Sequence, residues 1–211
     1  MEPYPVQLLV DEQETHLALL SHLTQTVKSR DQNTGGHLTR VSRYSVLLAG
    51  KMGLAPDEIQ NICYAALMHD VGKIWIPDYI LLKQGRLTSK EFDVMKTHTT
   101  IGASLLDTPH SEVLKFARWV ALHHHEKWNG QGYPGGLSGR DIPPAARIIA
   151  LADVFDALTS ERPYKPAGPA AIAAEIIEQE CGRHFDPDVV DVFINNIEQM
   201  LTIAEEEEPP K

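Results

Sequence analysis

Apolar residues along this chain recur at intervals of three and four almost from end to end, and nowhere alternate as a half-buried strand would. Residues 11–30 carry Leu17, Leu20, Leu23 and Val27 on one stripe, which predicts a polar helix with a single apolar seam. After the interruption Thr34-Gly35-Gly36, the spacing of Leu38, Val41, Ser45 and Leu48 predicts a helix from about His37 to Lys51. Gly53 closes it, and Pro56 opens the next, which buries Ile59, Ile62, Cys63 and Ala66 and ends on His69-Asp70. Pro77 and Gly85 leave Ile74 to Leu87 as a loop or broken turn. Thr88-Ser89-Lys90-Glu91 is a capping box. The helix it starts is expected to turn Phe92, Met95, Thr99, Gly102 and Leu106 inward, with His98 in its middle.

Ser111 caps a helix running through Leu114, Ala117, Val120 and Ala121 to the triplet His123-His124-His125. The string Asn129-Gly130-Gln131-Gly132-Tyr133-Pro134-Gly135-Gly136 forbids regular structure. Pro143-Pro144 and Gly168-Pro169 each start a helix, and Gly182 ends the second. Asp186-Pro187 opens a last amphipathic helix through Val189, Val190, Phe193, Ile197 and Leu201. The fold class is all-α.

Composition narrows this further. A chain of 211 residues with 43% hydrophobic and 23% charged residues suits one globular domain with a substantial core. No apolar run approaches the ~20 residues of a bilayer span, and Val6 to Val10 is too short for a signal-peptide core. Two cysteines supply neither a disulfide framework nor a zinc-type spacing, so the chain reads as cytoplasmic. A formal charge of −10 argues against a nucleic-acid polymer as partner. It leaves room for a small phosphorylated substrate, because bound divalent ions invert the local field. Part of that charge sits in the acidic tail 201–211, where Glu205-Glu206-Glu207-Glu208 precede Pro209-Pro210. Residues 31–200 are taken as the functional domain, and residues 1–30 as a linker or dimerisation element.

The chemistry lies in the histidines, ten in all. His69-Asp70 offers an imidazole and a carboxylate from one backbone step, followed by Lys73, a point cation suited to a phosphate oxygen. His37, His98, His124, His125 and Asp153 bring the candidate set to five imidazoles and two carboxylates with no thiolate. Such a set suits Fe, Mn, Zn or Ni and gives no reason to choose a soft metal. Seven ligands are too many for one ion and fit two, with Asp70 shared and a water or hydroxide between them. Metal pairs about 3.5–4 Å apart are a recurring device for phosphoester hydrolysis. Three adjacent histidines cannot all face one point on a helix, so two ligands and one bystander are expected. Asp153 lies within an apolar helix, where a carboxylate is costly without a partner, and Asp156 and Thr159 follow it as possible supports.

These motifs occur in a recognisable order. Gly36-His37-Leu38-Thr39-Arg40 is followed by His69-Asp70-Val71-Gly72-Lys73 and His98-Thr99-Thr100-Ile101-Gly102. Then come His124-His125-Glu126-Lys127-Trp128 with the glycine-rich string to Pro134, Asp153 to Thr159, Arg162-Pro163-Tyr164-Lys165 and Gly182-Arg183-His184-Phe185-Asp186-Pro187. Over about residues 30–195 the chain resembles the HD-GYP family, bacterial cyclic di-GMP phosphodiesterases within the HD superfamily.

The resemblance implies a single HD-superfamily helical domain with a dinuclear metal centre in the helix core. It implies hydrolysis of cyclic di-GMP to pGpG, in some members onward to GMP, by a metal-bridging hydroxide. His37, His69, Asp70 and Asp153 would hold one metal; Asp70, His98, His124 and His125 the other. Asp70 and Lys73 would be catalytic, Lys73 steadying the scissile phosphate. Lys73, Tyr133, Asp156, Arg162 and Lys165 would meet the substrate. The Gly132-Tyr133-Pro134 loop would lie beside the substrate groove and contact GGDEF-domain partners. Such domains usually follow a sensor or receiver domain, and residues 11–30 suit either that link or a homodimer contact.

Two positions depart from the family. Many members carry a Glu four residues before the first histidine, where it helps to hold a third metal; Asn33 stands there. Two metals and slow conversion of pGpG to GMP are therefore expected. The residue after Lys73-Ile74 is usually Gly and here is Trp75, which either narrows the approach to the site or packs on the surface. Two other classes remain open from sequence: an HD phosphohydrolase of another nucleotide, and a metal-loaded receptor for cyclic di-GMP or pGpG without turnover.

Overall fold

The helix that organises the interior is the one whose sequence is apolar on nearly every side, Pro144–Thr159, called α7 below. In the computed structural model, which describes residues 36–109, 111–160 and 168–206, it packs most closely on the helix His37–Lys51 and also meets Pro56–Met68, Glu112–His123, Ala170–Gln179 and Pro187–Asn195. In chain order the helices before it are α1 (His37–Lys51), α2 (Pro56–Met68), α3 (Asp78–Leu81), α4 (Ser89–Lys96), α5 (His98–Leu105) and α6 (Glu112–His123). After α7 come α8 (Ala170–Gln179), α9 (Pro187–Asn195) and α10 (Ile197–Glu206). The described residues form no strand, only isolated bridges between Asn129 and Ser138 and between Cys181 and Phe185.

α1 and α2 are antiparallel neighbours joined through Gly53, whose φ of 77° is the left-handed conformation a helix end commonly needs. Their buried faces, Val41, Tyr44 and Leu48 on α1 with Ile62, Ala65 and Ala66 on α2, join Val120 of α6 and Ile148, Ile149 and Phe155 of α7 in one core. Phe155 stands edge-on to Tyr44 of α1 at 5.3 Å and to Phe193 of α9 at 5.1 Å, linking those two helices through α7. Among the described residues, no helix is long and apolar enough to cross a membrane.

Local rules place most helix starts where the sequence does. Thr88 Oγ1 accepts from Glu91 N at 3.3 Å and the Glu91 carboxylate reaches back to Thr88 N at 2.7 Å. Asp186 caps α9 by accepting from Asp188 N at 2.9 Å, and Arg147 pairs with its other oxygen. Three expectations change. The stretch 74–87 holds the end of a 3-10 turn, Val71–Trp75, and the four-residue α3. The single helix expected from Thr88 breaks at Thr97, where the side chains of Thr97, His98, Thr99 and Thr100 each bond a carbonyl three residues back. His98 therefore starts α5, and Phe92, expected inside, is exposed on α4, which buries no residue. The last helix breaks at Asn196, because the amides of Asn195 and Asn196 take the carbonyls of Asp191 and Val192. The helix expected over 11–30 lies outside the described residues.

The close approach of the 3-10 turn to α5 brings His69-Asp70 against His98. A Cβ on Gly72 would overlap the His98 carbonyl oxygen and the Gly102 nitrogen, both backbone atoms. Gly72→Ala is expected to destabilise the protein by about 2 kcal/mol or more, measured by urea denaturation. Gly85→Ala is the control: no atom stands near its Cβ position, so its cost comes only from the positive φ of 106°.

Candidate metal centre

Three of the candidate histidines share one construction. Each sits just past a helix end, where the last carbonyls lack an intrahelical partner. His69, after α2, donates from Nδ1 to Ala66 O at 2.7 Å. His98, after α4, donates from Nδ1 to Met95 O at 2.7 Å. His124, after α6, directs Nδ1 to Val120 O and Ala121 O at 3.2 and 3.1 Å. His37 reaches the same state differently, with Nδ1 2.7 Å from the Asp156 carboxylate. A carbonyl can only accept, so each neutral ring carries its proton on Nδ1 and keeps its lone pair on Nε2.

Those Nε2 atoms converge on Asp70. His98 Nε2 lies 3.3 Å and His124 Nε2 3.7 Å from Asp70 Oδ1, and His69 Nε2 lies 3.3 Å from Asp70 Oδ2. Asp70, His98, His124 and His125 form one set of potential ligand atoms within 4.8 Å of one another; His37, His69 and Asp70 form a second, with Asp70 in both. His69 Nε2 and Asp70 Oδ1 are buried without a hydrogen-bond partner. His98 Nε2 and His124 Nε2 face each other at 3.4 Å. Two lone pairs in that position repel unless a cation or proton lies between them. The donor set therefore fits divalent transition-metal binding.

The electrostatics agree. Burial acts to raise the Asp70 carboxyl, but Lys73 and His69 outweigh it and hold it well below its ordinary value. Lys73 Nζ is 2.7 Å from Asp70 Oδ2. Burial opposes charge on His69 too, yet Asp70 lifts that ring to about 9, so its Nε2 carries a proton unless another cation meets Asp70; burial takes His98 down to about 4. His125, also lowered by burial, stacks against Tyr133 at 4.8 Å.

The sequence profile of the HD domain matches residues 21–189. The chain belongs to the HD domain family. Over 195 residues it is 44% identical to a cyclic di-GMP phosphodiesterase response regulator of Xanthomonas campestris, covering 92% of this chain and 51% of that protein. Over 199 residues it is 41% identical to a 3'3'-cGAMP-specific phosphodiesterase of Vibrio cholerae, covering 94% of this chain and 38% of that one. It also resembles the solved structure of an HDGYP protein of Bdellovibrio bacteriovorus, with a TM-score of 0.64 at 26% identity, covering 80% of this chain and 53% of that one. The chain thus spans about half or less of the length of these curated relatives.

Within this HD domain, Asp153 stands at the rim of the cluster, its Oδ1 3.4 Å from His37 Nε2. His123 points away: its ring stacks on Trp119 at 5.6 Å, and its Nδ1 lies 3.7 Å from Glu126. Trp75 is 69% exposed. Arg162, Lys165 and Asn33 lie outside the described residues.

Asp156 is a correction. Read from sequence both as a possible support of the centre and as a substrate contact, it fits the first and not the second: it is 1% exposed, and both oxygens are taken by His37 and Arg40. It supports His37 from behind, since the α-helical register puts it one turn beyond Asp153 on α7. Thr159 gives no such support; its hydroxyl bonds Phe155 O in its own helix. Sequence reasoning also missed Arg40, whose Nε donates to Asp156 at 2.6 Å. Its signal was the spacing of three from His37, which puts both on one face of α1. Glu126, buried at 2%, carried no signal beyond its place in the string.

Burial acts to raise Asp156, but hydrogen bonds from His37 and Arg40 prevail and lower it. Its contribution to stability is therefore present above the ordinary carboxylate range and lost as pH falls through the lowered value. Asp156→Ala strands the buried Arg40 charge and should cost about 3 kcal/mol in urea denaturation at pH 7. It should also weaken metal binding about 10–100-fold in a competitive titration, because His37 loses the group that fixes its tautomer. The stability difference from wild type should shrink as the pH is taken below 4.

Proposed function

We propose that this HD domain hydrolyses the phosphodiester bond of cyclic di-GMP to give pGpG, lowering a bacterial second messenger in the cytoplasm. The observation that carries the reading is the convergence of imidazole lone pairs on Asp70 with Lys73 beside it. The names of the relatives supply the substrate class.

Two divalent ions are proposed, Fe or Mn before Zn or Ni. One would be held by His37, His69, Asp70 and Asp153, the other by Asp70, His98, His124 and His125, with Asp70 between them. Bound there, such ions supply Lewis acidity and lower the pKa of water. The chain's own groups do the remaining work. Asp156 and the helix-end carbonyls keep each ring in the Nδ1–H tautomer. Lys73 holds a positive charge at the partly exposed side of Asp70, suited to a phosphate oxygen as charge develops there. Tyr133, stacked on His125, borders the same side. Arg162 and Lys165 are proposed to meet the phosphate or guanine. Asn33, neutral and shorter than Glu, is proposed to leave a third ion absent or weakly held, so that pGpG is cut to GMP slowly. The Gly132-Tyr133-Pro134 loop, with Pro134 exposed, is the proposed contact for a GGDEF-domain partner. Residues 1–30 are proposed as a link to an upstream domain or as a homodimer contact.

A second substrate reading has its own observation: one relative at 41% identity is named for 3'3'-cGAMP. Turnover of cyclic di-GMP, 3'3'-cGAMP, pGpG and other linear nucleotides, with metal content measured on the same sample, tests both. Expected are two metals per chain, fast loss of a cyclic dinucleotide and slow loss of pGpG. Binding of a cyclic dinucleotide without turnover would make the domain a receptor instead. Asp70→Ala should abolish hydrolysis and strip the metal, as should His124→Ala and His125→Ala, while His123→Ala keeps both. Equal losses from all three histidine variants would overturn this ligand register.

A further inference from the structure

We propose that Glu126 is a positioning residue for substrate binding, acting through Tyr133; this rests on the phosphodiesterase reading above. The loop from Gly130 to Gly136 has four glycines in seven residues and little side chain with which to hold its own shape. Gly130 and Gly136 adopt φ of 78° and 66°, and Asn129 and Ser138 form an isolated bridge at its base. Beyond that bridge the strongest fixed point is a buried carboxylate. Glu126 Oε1 accepts from Gly135 N at 2.7 Å and Oε2 from Leu137 N at 3.1 Å. The contact is intimate: a Cβ on Gly132 would overlap Glu126 Cα and Lys127 N, and one on Gly135 would sit 3.1 Å from Glu126 Oε1.

The consequence falls on the residue between those glycines. Tyr133 N donates to His125 O at 3.2 Å, its ring stacks on the His125 imidazole, and Phe92 stands edge-on to it at 6.0 Å. One side chain, Glu126, thus fixes the far limb of the loop while the Tyr133 amide fixes the near one. A carboxylate suits the role because both its oxygens accept. Gln would turn an NH2 group toward one of the two amides and lose that bond. Its carboxylate bonds Gly135 and Leu137 and lies 3.7 Å from His123, which stands outside the ligand set, so its effect on substrate passes through where Tyr133 stands.

The test uses the metal-loaded protein and three readouts. Hydrogen exchange should show the Gly135 and Leu137 amides exchanging faster in Glu126→Ala, with metal content as in wild type. KM for cyclic di-GMP should rise at least about tenfold, because the buried charge-assisted hydrogen bonds to Gly135 and Leu137 are both lost, with kcat little changed. Glu126→Gln, which keeps one bond and the packing, should give a smaller rise, and it serves if the alanine variant fails to fold. The double variant Glu126→Ala with Tyr133→Ala should bind substrate no worse than Tyr133→Ala alone, because both changes remove one interaction. Additive effects on KM, unchanged exchange, or metal and kcat falling together would overturn the proposal. A wild-type protein that neither binds nor hydrolyses a cyclic dinucleotide would instead overturn the phosphodiesterase reading, and with it the substrate role of Glu126.

Discussion

The structure depends on a hydrogen bond from an imidazole Nδ1 to a carbonyl that a helix has left over. Every α-helix ends with carbonyls that lack an internal partner. In this HD domain α2, α4 and α6 each place a histidine where its ring closes back on such a carbonyl. That bond does two things at once. It satisfies a buried acceptor, and it fixes the tautomer so that Nε2 points its lone pair into the centre. Apart from Asp153 on a face of α7, the site is therefore assembled from helix ends, and breaks that look like defects become its construction points. The break at Thr97 is the clearest case, because a continuous helix would have left no carbonyl free for His98.

Bringing buried lone pairs and a carboxylate together is unfavourable without positive charge. The surrounding residues are arranged around that cost. Lys73 meets Asp70, and Arg40 with Asp156 forms a buried pair behind His37. Asp156 serves both sides of that pair, fixing the His37 tautomer while neutralising Arg40. The backbone is shaped to the same end. Gly72 allows the 3-10 turn carrying Asp70 to lie against the carbonyl of His98, and side chains larger than hydrogen are excluded there by backbone atoms that cannot yield.

The proposed substrate contact is built differently. Most metal candidates rest on helix ends, whereas Tyr133 rides on a glycine-rich loop. The loop is held by Glu126 and by the stacking of Tyr133 on His125. The candidate ligand cluster and the loop thus meet at one residue, His125, whose ring belongs to the cluster on one side and stacks on Tyr133 on the other.

The sequence by itself determined the helical class, most helix starts and the inventory of His37, His69, Asp70, His98, His124, His125 and Asp153. These are local facts: period, capping chemistry and residue type are written in short windows. It also showed that one of His123, His124 and His125 must stand aside. Only the tertiary structure decided which groups meet. The breaks at Thr97 and Asn196 come from side chains competing for carbonyls, a contest that apolar periodicity does not register. Asp156 could be read as a support or as a substrate contact, and only the fold shows it as the buried partner of His37 and Arg40, because these neighbours are 119 and 116 positions away in the chain. Glu126 was legible only as one letter of a motif. Its two bonds to Gly135 and Leu137 exist because the loop folds back on it, and no spacing along the chain specifies that return.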